Sequence, residues 1–323
     1  MMRIRRDVIG VAFGSAAILS STAFAQVTRQ VESGDERALD SRIPELRDKD
    51  RPTITWSLQT GAEYHDEVSL DAGGDIESWA AGLALATNIT LNRDARLTIS
   101  GAYVYEQFDF AGTSGFGSLN PWENVHTFEA SARFAWDVTN DVTMFAGPVF
   151  VFSGEDGSKT SDSIMGGGFI GATYQVNDEL IIGGGVGATT WLEDDVRLFP
   201  IIILEWRFTD TMRITSSNYA IRRGVEFQWD AMENVTLGVG AAYSERRFRL
   251  DDNGLGPNGV GEVQKFPLYA KVSWRPNDDA NIDLLLGSNF SGSVEFLDNG
   301  GNTLGASDFD TQLFAGINVG IRW

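Results

Sequence analysis

From Pro52 to the end of the chain, apolar residues recur at every second position. In a β-strand successive side chains point to opposite faces, so this period predicts strands that each have one apolar face. Helical spacing, with a period of 3.6 residues, explains none of these segments. The most complete apolar face belongs to the last strand and consists of Leu313, Ala315, Ile317, Val319, Ile321 and Trp323.

Two kinds of connection separate the predicted strands. Asn and Asp favour tight turns because they bond their own backbone and tolerate left-handed conformations. Six short turns of this composition alternate with seven mostly longer polar loops, which together predict fourteen strands with both termini on the short-turn side. Twelve strands remain the alternative, because the segments that flank Arg222 and Arg223 are brief. The predicted loops are 66–75, 110–123, 153–162, 193–197, 217–223, 250–264 and 298–308.

The first 51 residues lie outside this pattern. Residues 1–25 place three arginines before a short apolar run that ends in Ala23, Phe24 and Ala25, the order of a secretory signal cleaved after Ala25. A retained anchor is the alternative, but the run is shorter than the roughly 20 residues that a membrane helix needs. Residues 26–51 are polar and charge-mixed, which predicts a periplasmic extension or a plug. The barrel is predicted over residues 52–323.

Aromatic residues mark the ends of the predicted strands. Rings with an apolar body prefer the membrane interface, and a lipid-embedded barrel carries one aromatic girdle at each interface. A second set of rings lies near the long loops. A soluble sandwich, propeller or periplasmic binding module is the alternative, but it has no physical reason to end successive strands in this way. The predicted interface aromatics on the short-turn side are Trp136, Tyr174, Trp206, Trp229, Trp274 and Trp323.

Composition excludes several classes of function. The chain has no cysteine, so it has no disulfide, thiolate metal site or cysteine nucleophile. Its net charge of −20 repels phosphates, so no nucleic-acid partner is predicted. The acidic long loops are interpreted as a solvated rim, with loose divalent cations bridging to lipopolysaccharide as the alternative. They lack the ligand spacing of a calcium loop, and neither a metal nor a cofactor is predicted.

Two features imitate catalytic or nucleotide-binding sites. Gly166, Gly168 and Gly171 match G-x-G-x-x-G, but that mechanism needs a helix behind the glycines, and here a strand pattern continues. His65 and His126 are predicted at the outer rim, with no serine and acid arranged compactly around them. An outer-membrane hydrolase is therefore the least favoured alternative, and no catalytic residue is predicted.

The face opposite the lipid carries charges, which are tolerated there only toward water or toward each other. Its basic members suggest a wall that biases passage toward anions, and an ion-paired lumen that stiffens the barrel is the alternative. Small residues such as Gly171, Gly183 and Gly187 on this face favour open space. The predicted pore-lining residues are Glu129, Arg133, Glu205, Arg207, Arg213, Glu226, Arg246, Lys271, Arg275 and Arg322, and the basic wall comprises Arg207, Arg213, Arg246, Lys271 and Arg275.

With these features the chain resembles a Gram-negative outer-membrane β-barrel protein over about residues 52–323. The strand that ends in Trp323 resembles the signal read by the barrel-insertion machinery, and the stretch from Ile221 to Pro276 is similar to barrel-like proteins of unknown function. The resemblance implies an outer-membrane location, with outer-membrane lipid, lipopolysaccharide and that machinery as partners. We expect a passive pore or narrow channel for small polar solutes. A closed barrel with a structural or surface-binding role in the envelope is the alternative.

Overall fold

The structure, a computed structural model, describes residues 53–219 and 222–323. The predicted signal peptide and the segment 26–51 lie outside the described residues. Fifteen strand segments form one antiparallel sheet. They are β1 (Thr53–Ser69), β2 (Asp75–Asn92), β3 (Ala95–Ala111), β4 (Asn124–Asp137), β5 (Val142–Glu155), β6 (Ile164–Asn177), β7 (Leu180–Trp191), β8 (Asp194–Arg207), β9 (Met212–Tyr219), β10 (Arg222–Met232), β11 (Val235–Arg249), β12 (Val260–Asn277), β13 (Ala280–Leu297), β14 (Thr303–Phe309) and β15 (Gln312–Arg322).

The sheet closes into a barrel whose wall has fourteen strands. β14 pairs with the part of β13 nearer the long loops, and β15 pairs with the part nearer the short turns. These two segments together therefore make one wall strand. β15 pairs with β1 on its other side. The last residue completes this seam, because the backbones of Trp56 and Trp323 exchange two hydrogen bonds of 2.8 and 3.0 Å. The predicted count of fourteen is confirmed.

All six predicted short turns connect neighbouring strands. Three of them are built alike: the side-chain oxygens of Asn92, Asn177 and Asn277 accept hydrogen bonds from the N–H two residues ahead, at 2.9, 2.9 and 3.0 Å. This is the local bonding that makes Asn favour tight turns. The turn chemistry therefore determines one end of the barrel directly from the sequence.

The predicted loops are too long, because each of the seven overlaps the end of at least one strand that it joins. Segment 298–308 contains β14, segment 193–197 lies mostly in β8, and the segment predicted as a loop over 250–264 already belongs to β12 from Val260. These stretches are polar or glycine-rich, which we interpreted as irregular structure. Backbone pairing does not require apolar side chains, so the hairpins continue past the apolar band.

The outer surface carries a continuous apolar band. Leu83, Phe150, Ile202 and Leu286 are exposed to 51, 56, 74 and 68 % of their area, and their outward neighbours are similar. So much contiguous apolar surface requires a lipid or protein partner.

Helical structure is limited to α1 (Gly115–Leu119) and a 3-10 turn at Thr160–Ser163 among the described residues. None of the helices described is long and apolar enough to cross a membrane.

The inner face is filled by aromatic rings that lie over glycines. Each such ring is at most 5 % exposed and sits directly opposite a glycine of the neighbouring strand, where a Cβ would overlap the ring. Cross-strand glycine–aromatic pairs of this kind are a known device of β-sheets. The interpretation of Gly171 and Gly187 as markers of open space is therefore wrong. The pairs are Gly171–Phe145, Gly187–Phe199, Gly240–Tyr269, Gly261–Phe248, Gly287–Phe314, Gly292–Phe309 and Gly305–Phe296.

The wall has a short ladder between β8 and β9. Within the described residues it runs only from Glu205↔Thr215 to Arg207↔Arg213. Next to this ladder, on the side of the long loops, the Leu204 N–H donates to the Ser216 hydroxyl at 3.4 Å instead of to a backbone carbonyl. Pro200 has the same parity as Leu204, so its missing N–H falls on this unpaired edge, the position where a strand tolerates proline.

Gly187→Ala is predicted to destabilise the barrel by about 1–3 kcal/mol, because the added methyl group overlaps the Phe199 ring. Urea unfolding in lipid vesicles measures this change. Gly184→Ala on the same strand is the control, since its Cβ would lie 3.6 Å from the Ile201 carbonyl oxygen and should be tolerated. In a Phe199→Ala background most of the cost of Gly187→Ala should vanish, and a cost that persists would contradict the overlap.

Candidate functional site

The mouth of the barrel is closed by the tip of β11. Residue Arg249 of β11 pairs with Gly154 of β5, a strand that is not its neighbour in the wall. Phe248, the residue before Arg249, is fully buried and stacks on Phe108 of β3, with 6.2 Å between the ring centroids. The tip of β11 therefore crosses the lumen. The aromatic members of the buried cluster on this side are Phe108, Phe110, Phe116, Trp122, Phe248, Phe296 and Phe309.

The opposite face of the same tip is held by arginines. The Arg249 guanidinium lies 2.5 Å from a carboxylate oxygen of Glu193, and the Arg247 guanidinium lies 5.8 Å from the centroid of the Trp191 ring. Both arginines are buried. Because side chains alternate along a strand, Phe248 and its two arginine neighbours face opposite sides of the mouth. One strand tip thus divides the mouth into an aromatic half and an arginine half.

An ion pair crosses the lumen immediately below the aromatic half. The guanidinium of Arg246 on β11 contacts the carboxylate of Glu106 on β3, and both residues are buried. β3 and β11 lie on well-separated parts of the wall. We call the space around this pair the neck, lined by Glu63, His65, Glu106, Ser244, Arg246, Val263, Lys265, Pro267 and Asn289. The neck encloses a cavity with room for roughly one water molecule.

The two histidines occupy different environments. The prediction that His65 lies at the rim is wrong: it is 2 % exposed, with Nε2 2.7 Å from the Glu63 carboxylate and Nδ1 3.0 Å from the Asn289 amide nitrogen. It points inward because it follows the inward parity of β1. His126 does lie at the rim, 2.7 Å from the Tyr103 hydroxyl and 2.9 Å from Asp156. These contacts do not form a Ser-His-acid arrangement.

A second network of charges fills the lumen nearer the short turns. The carboxylate of Glu226 is fully buried and accepts hydrogen bonds from Lys271 Nζ at 2.5 Å and from the Tyr269 hydroxyl at 3.0 Å. The Gln228 amide also donates to Glu226 and connects it downward to Arg213, whose Nε lies 2.6 Å from Gln228 Oε1. Each polar group named here therefore has a hydrogen-bond partner within the network.

The same network continues to the short-turn end through Asp230. Its carboxylate accepts from Arg213 at 3.3 Å, from Thr236 at 2.5 Å and from Arg275 at 3.4 Å. Arg275 is exposed, so the network ends at solvent. A continuous chain of hydrogen bonds thus joins the middle of the lumen to its short-turn opening.

The predicted pore-lining residues differ in how far they are exposed to solvent. Those that are buried in the lumen are Glu129, Arg133, Glu226, Arg246 and Lys271. Glu205, Arg213 and Arg322 are partly exposed, and Arg207 and Arg275 are exposed. Four cations of the predicted basic wall have carboxylate partners: Arg213 and Arg275 on Asp230, Arg246 on Glu106, and Lys271 on Glu226. This arrangement favours the ion-paired lumen over an uncompensated basic wall.

The sequence analysis missed three charged residues of the neck. Glu63, Glu106 and Lys265 all point inward, and each occupies a position of inward parity on its strand. Inward parity is therefore a sequence signal for all three. What no pattern reveals is that Glu106 and Arg246, 140 residues apart, meet across the lumen.

The predicted interface aromatics lie at the short-turn ends of their strands. Tyr174, Trp206, Trp229 and Trp274 are between 42 and 48 % exposed and face outward. Trp323 is 60 % exposed. The sixth residue, Trp136, is partly covered by Phe134, with ring centroids 5.5 Å apart.

No family model matches the chain, and no curated protein matches it. Solved barrels are similar in shape. A TodX monoaromatic hydrocarbon channel deltaS2 mutant has a TM-score of 0.49 at 10 % identity, covering 84 % of this chain and 90 % of that one. A Pseudomonas aeruginosa FadL homologue has 0.39 at 10 %, covering 84 and 89 %. The KdgM porin has 0.30 at 9 %, covering 81 and 97 %. These values place the chain in none of those families.

Glu155 ties two loops together at the mouth. Its carboxylate accepts hydrogen bonds of 3.0 Å from the N–H groups of Glu123 and Asp251. Burial raises the pKa of Glu155 above its ordinary value, and the two N–H donors offset this rise only in part. A carboxyl whose pKa is raised by folding contributes stability at low pH, which is lost as the pH rises through the folded value.

Glu155→Gln is predicted to flatten part of the pH dependence of stability, because glutamine does not titrate. In the wild type the contribution of Glu155 to the free energy of unfolding should grow as the pH falls from 7, through the raised pKa of its carboxyl group, toward the ordinary value of 4.5. Urea unfolding at several pH values measures the difference between the two proteins. The exposed Asp71→Asn is the control for a general loss of charge, and identical pH profiles for the wild type and Glu155→Gln would contradict the assignment.

Arg246→Met is predicted to destabilise the barrel by about 3 kcal/mol or more, because Glu106 would remain buried without its partner. The double variant Arg246→Met with Glu106→Leu should cost less than the single change, since it leaves no unpaired charge. Urea unfolding measures both. Lys159→Ala removes an exposed ion pair with Asp252 and should change stability by less than about 1 kcal/mol. A double variant less stable than the single one would refute this account.

Proposed function

We propose that the chain spans the bacterial outer membrane and acts as a narrow passive channel for small polar solutes, closed in the state described here. The apolar outer band supports the membrane-spanning part, because such a surface is stable against hydrocarbon and the closed sheet leaves few backbone groups without partners. The outward aromatics at the short-turn ends also support the membrane-spanning part, because such rings prefer the membrane interface.

The observation that carries the channel function is the hydrogen-bonded chain from Glu226 to Arg275. Buried ion pairs are often no more stabilising than apolar residues of the same shape, so stability alone does not require them. They do provide donors and acceptors along the axis of the lumen. A polar solute that loses its hydration water inside the barrel can exchange it for these groups.

Closure lies at the mouth and at the neck. The tip of β11 with its aromatic cluster blocks the mouth, and the pair formed by Arg246 and Glu106 blocks the neck. Passage of a solute therefore requires the tip of β11 to move away from β5. The contacts that oppose this movement include the Arg249–Glu193 pair, the stack of Phe248 on Phe108 and the single backbone pairing with Gly154.

A closed barrel with a structural or surface-binding role is the second candidate. It is favoured by the burial of the inward face, where seven aromatic rings cover glycines and leave little free space. A hydrolase is not favoured, because neither His65 nor His126 has the neighbours that such chemistry needs.

The partners belong to the same proposal. Lipid would contact the apolar band, lipopolysaccharide the outer rim, and the insertion machinery the strand that ends in Trp323. The pairing of Trp323 with Trp56 supports a role for this residue in closing the seam during assembly.

Single-channel recording in planar bilayers is predicted to show rare, small openings for the wild type and openings about tenfold more frequent for Arg249→Ala. The reason is that a buried hydrogen bond to a charged group contributes about 1.5–3 kcal/mol to the closed state. Lys159→Ala is the control. If well-folded wild type and Arg249→Ala both pass no current, the closed structural barrel is the correct function.

A further inference from the structure

We infer that the neck selects uncharged solutes that both donate and accept hydrogen bonds, and that it excludes ions of the same size. This inference rests on the proposed channel function and names the substrate class of that channel. Urea and acetamide are solutes of this class. Guanidinium and acetate have nearly the same shapes but carry a charge.

The charges of the neck compensate one another. Arg246 contacts Glu106, and Nε2 of His65 lies 2.7 Å from the Glu63 carboxylate. Lys265, whose Nζ lies 3.4 Å from the Ser78 hydroxyl, supplies a second cation. Two carboxylates and two cations therefore line the cavity, and with His65 uncharged their formal charges cancel. The neck attracts neither anions nor cations through a net field.

The hydrogen-bonding capacity left over in the neck is one donor and one acceptor. Among the described residues, Nη2 of Arg246 and Oδ1 of Asn289 are buried and have no hydrogen-bond partner. Both residues line the same cavity and are at least nine-tenths buried. An anion satisfies only the arginine nitrogen, and a cation satisfies only the amide oxygen. A neutral molecule that carries both kinds of group satisfies both atoms at once.

Dehydration adds to this preference. The cavity has room for roughly one water molecule, so an ion must leave nearly all of its hydration shell behind to enter it. A neutral solute loses far less on dehydration than an ion does. The next layer of the lumen does not compensate the ion either, because Glu226 is already paired with Lys271. In the neck and in the layer of Glu226, a solute thus meets polar groups whose charges are paired.

The test is stopped-flow light scattering of proteoliposomes, with empty liposomes subtracted, for the pairs urea and guanidinium, and acetamide and acetate. In the wild type each neutral solute should enter at least about a hundredfold faster than its charged counterpart. Equal rates within each pair would overturn the inference and leave the channel intact. Entry of no solute at all would remove the proposed channel and the inference with it.

Two variants test whether the neck is the origin of the selectivity. Glu106→Gln leaves Arg246 uncompensated and should raise acetate entry about tenfold relative to acetamide. Asn289→Asp adds a carboxylate and should raise guanidinium entry relative to urea by a similar factor, which provides a second measurement if Glu106→Gln fails to fold. Asp71→Asn, an exposed change of charge at the mouth, is the matched control. Wild-type selectivity in both folded neck variants would overturn the assignment to the neck.

Discussion

Charges inside this barrel have little water around them, so they must satisfy one another, and the rest of the structure depends on this requirement. A fourteen-stranded wall is wide enough for water if the lumen is empty, but here aromatic rings over glycines fill most of it. The remaining polar residues are consequently dehydrated. Each buried cation of the predicted basic wall has a carboxylate partner. An unpaired buried charge would cost a large part of the free energy of unfolding.

The fold was predictable because the physics that determines it is local. Alternation specifies which side of a strand meets lipid, and Asn-rich turns such as that at Asn92 specify where strands reverse. The upper ends of the hairpins were not predictable in this way. Residues 303–309 look polar and irregular, yet they pair with β13 because pairing depends on backbone groups that sequence patterns do not display.

The neck could be predicted only as a set of inward charges. Parity places Arg246 and Lys271 on the lumen side, which the sequence analysis recognised, but parity carries no information about distance across the barrel. Arg246 meets Glu106 because the tip of β11 tilts across the mouth. That tilt comes from tertiary packing of Phe248 on Phe108.

The tip of β11 couples the two halves of the mouth into one unit. Arg247, Phe248 and Arg249 alternate between opposite faces, so the tip cannot keep its aromatic contacts while it gives up those of its arginines. A slip by one residue would bury each side chain on the wrong face. Arg246 belongs to the same short segment and carries the ion pair of the neck. Withdrawal of the tip would therefore break the contacts of the mouth and those of the neck together.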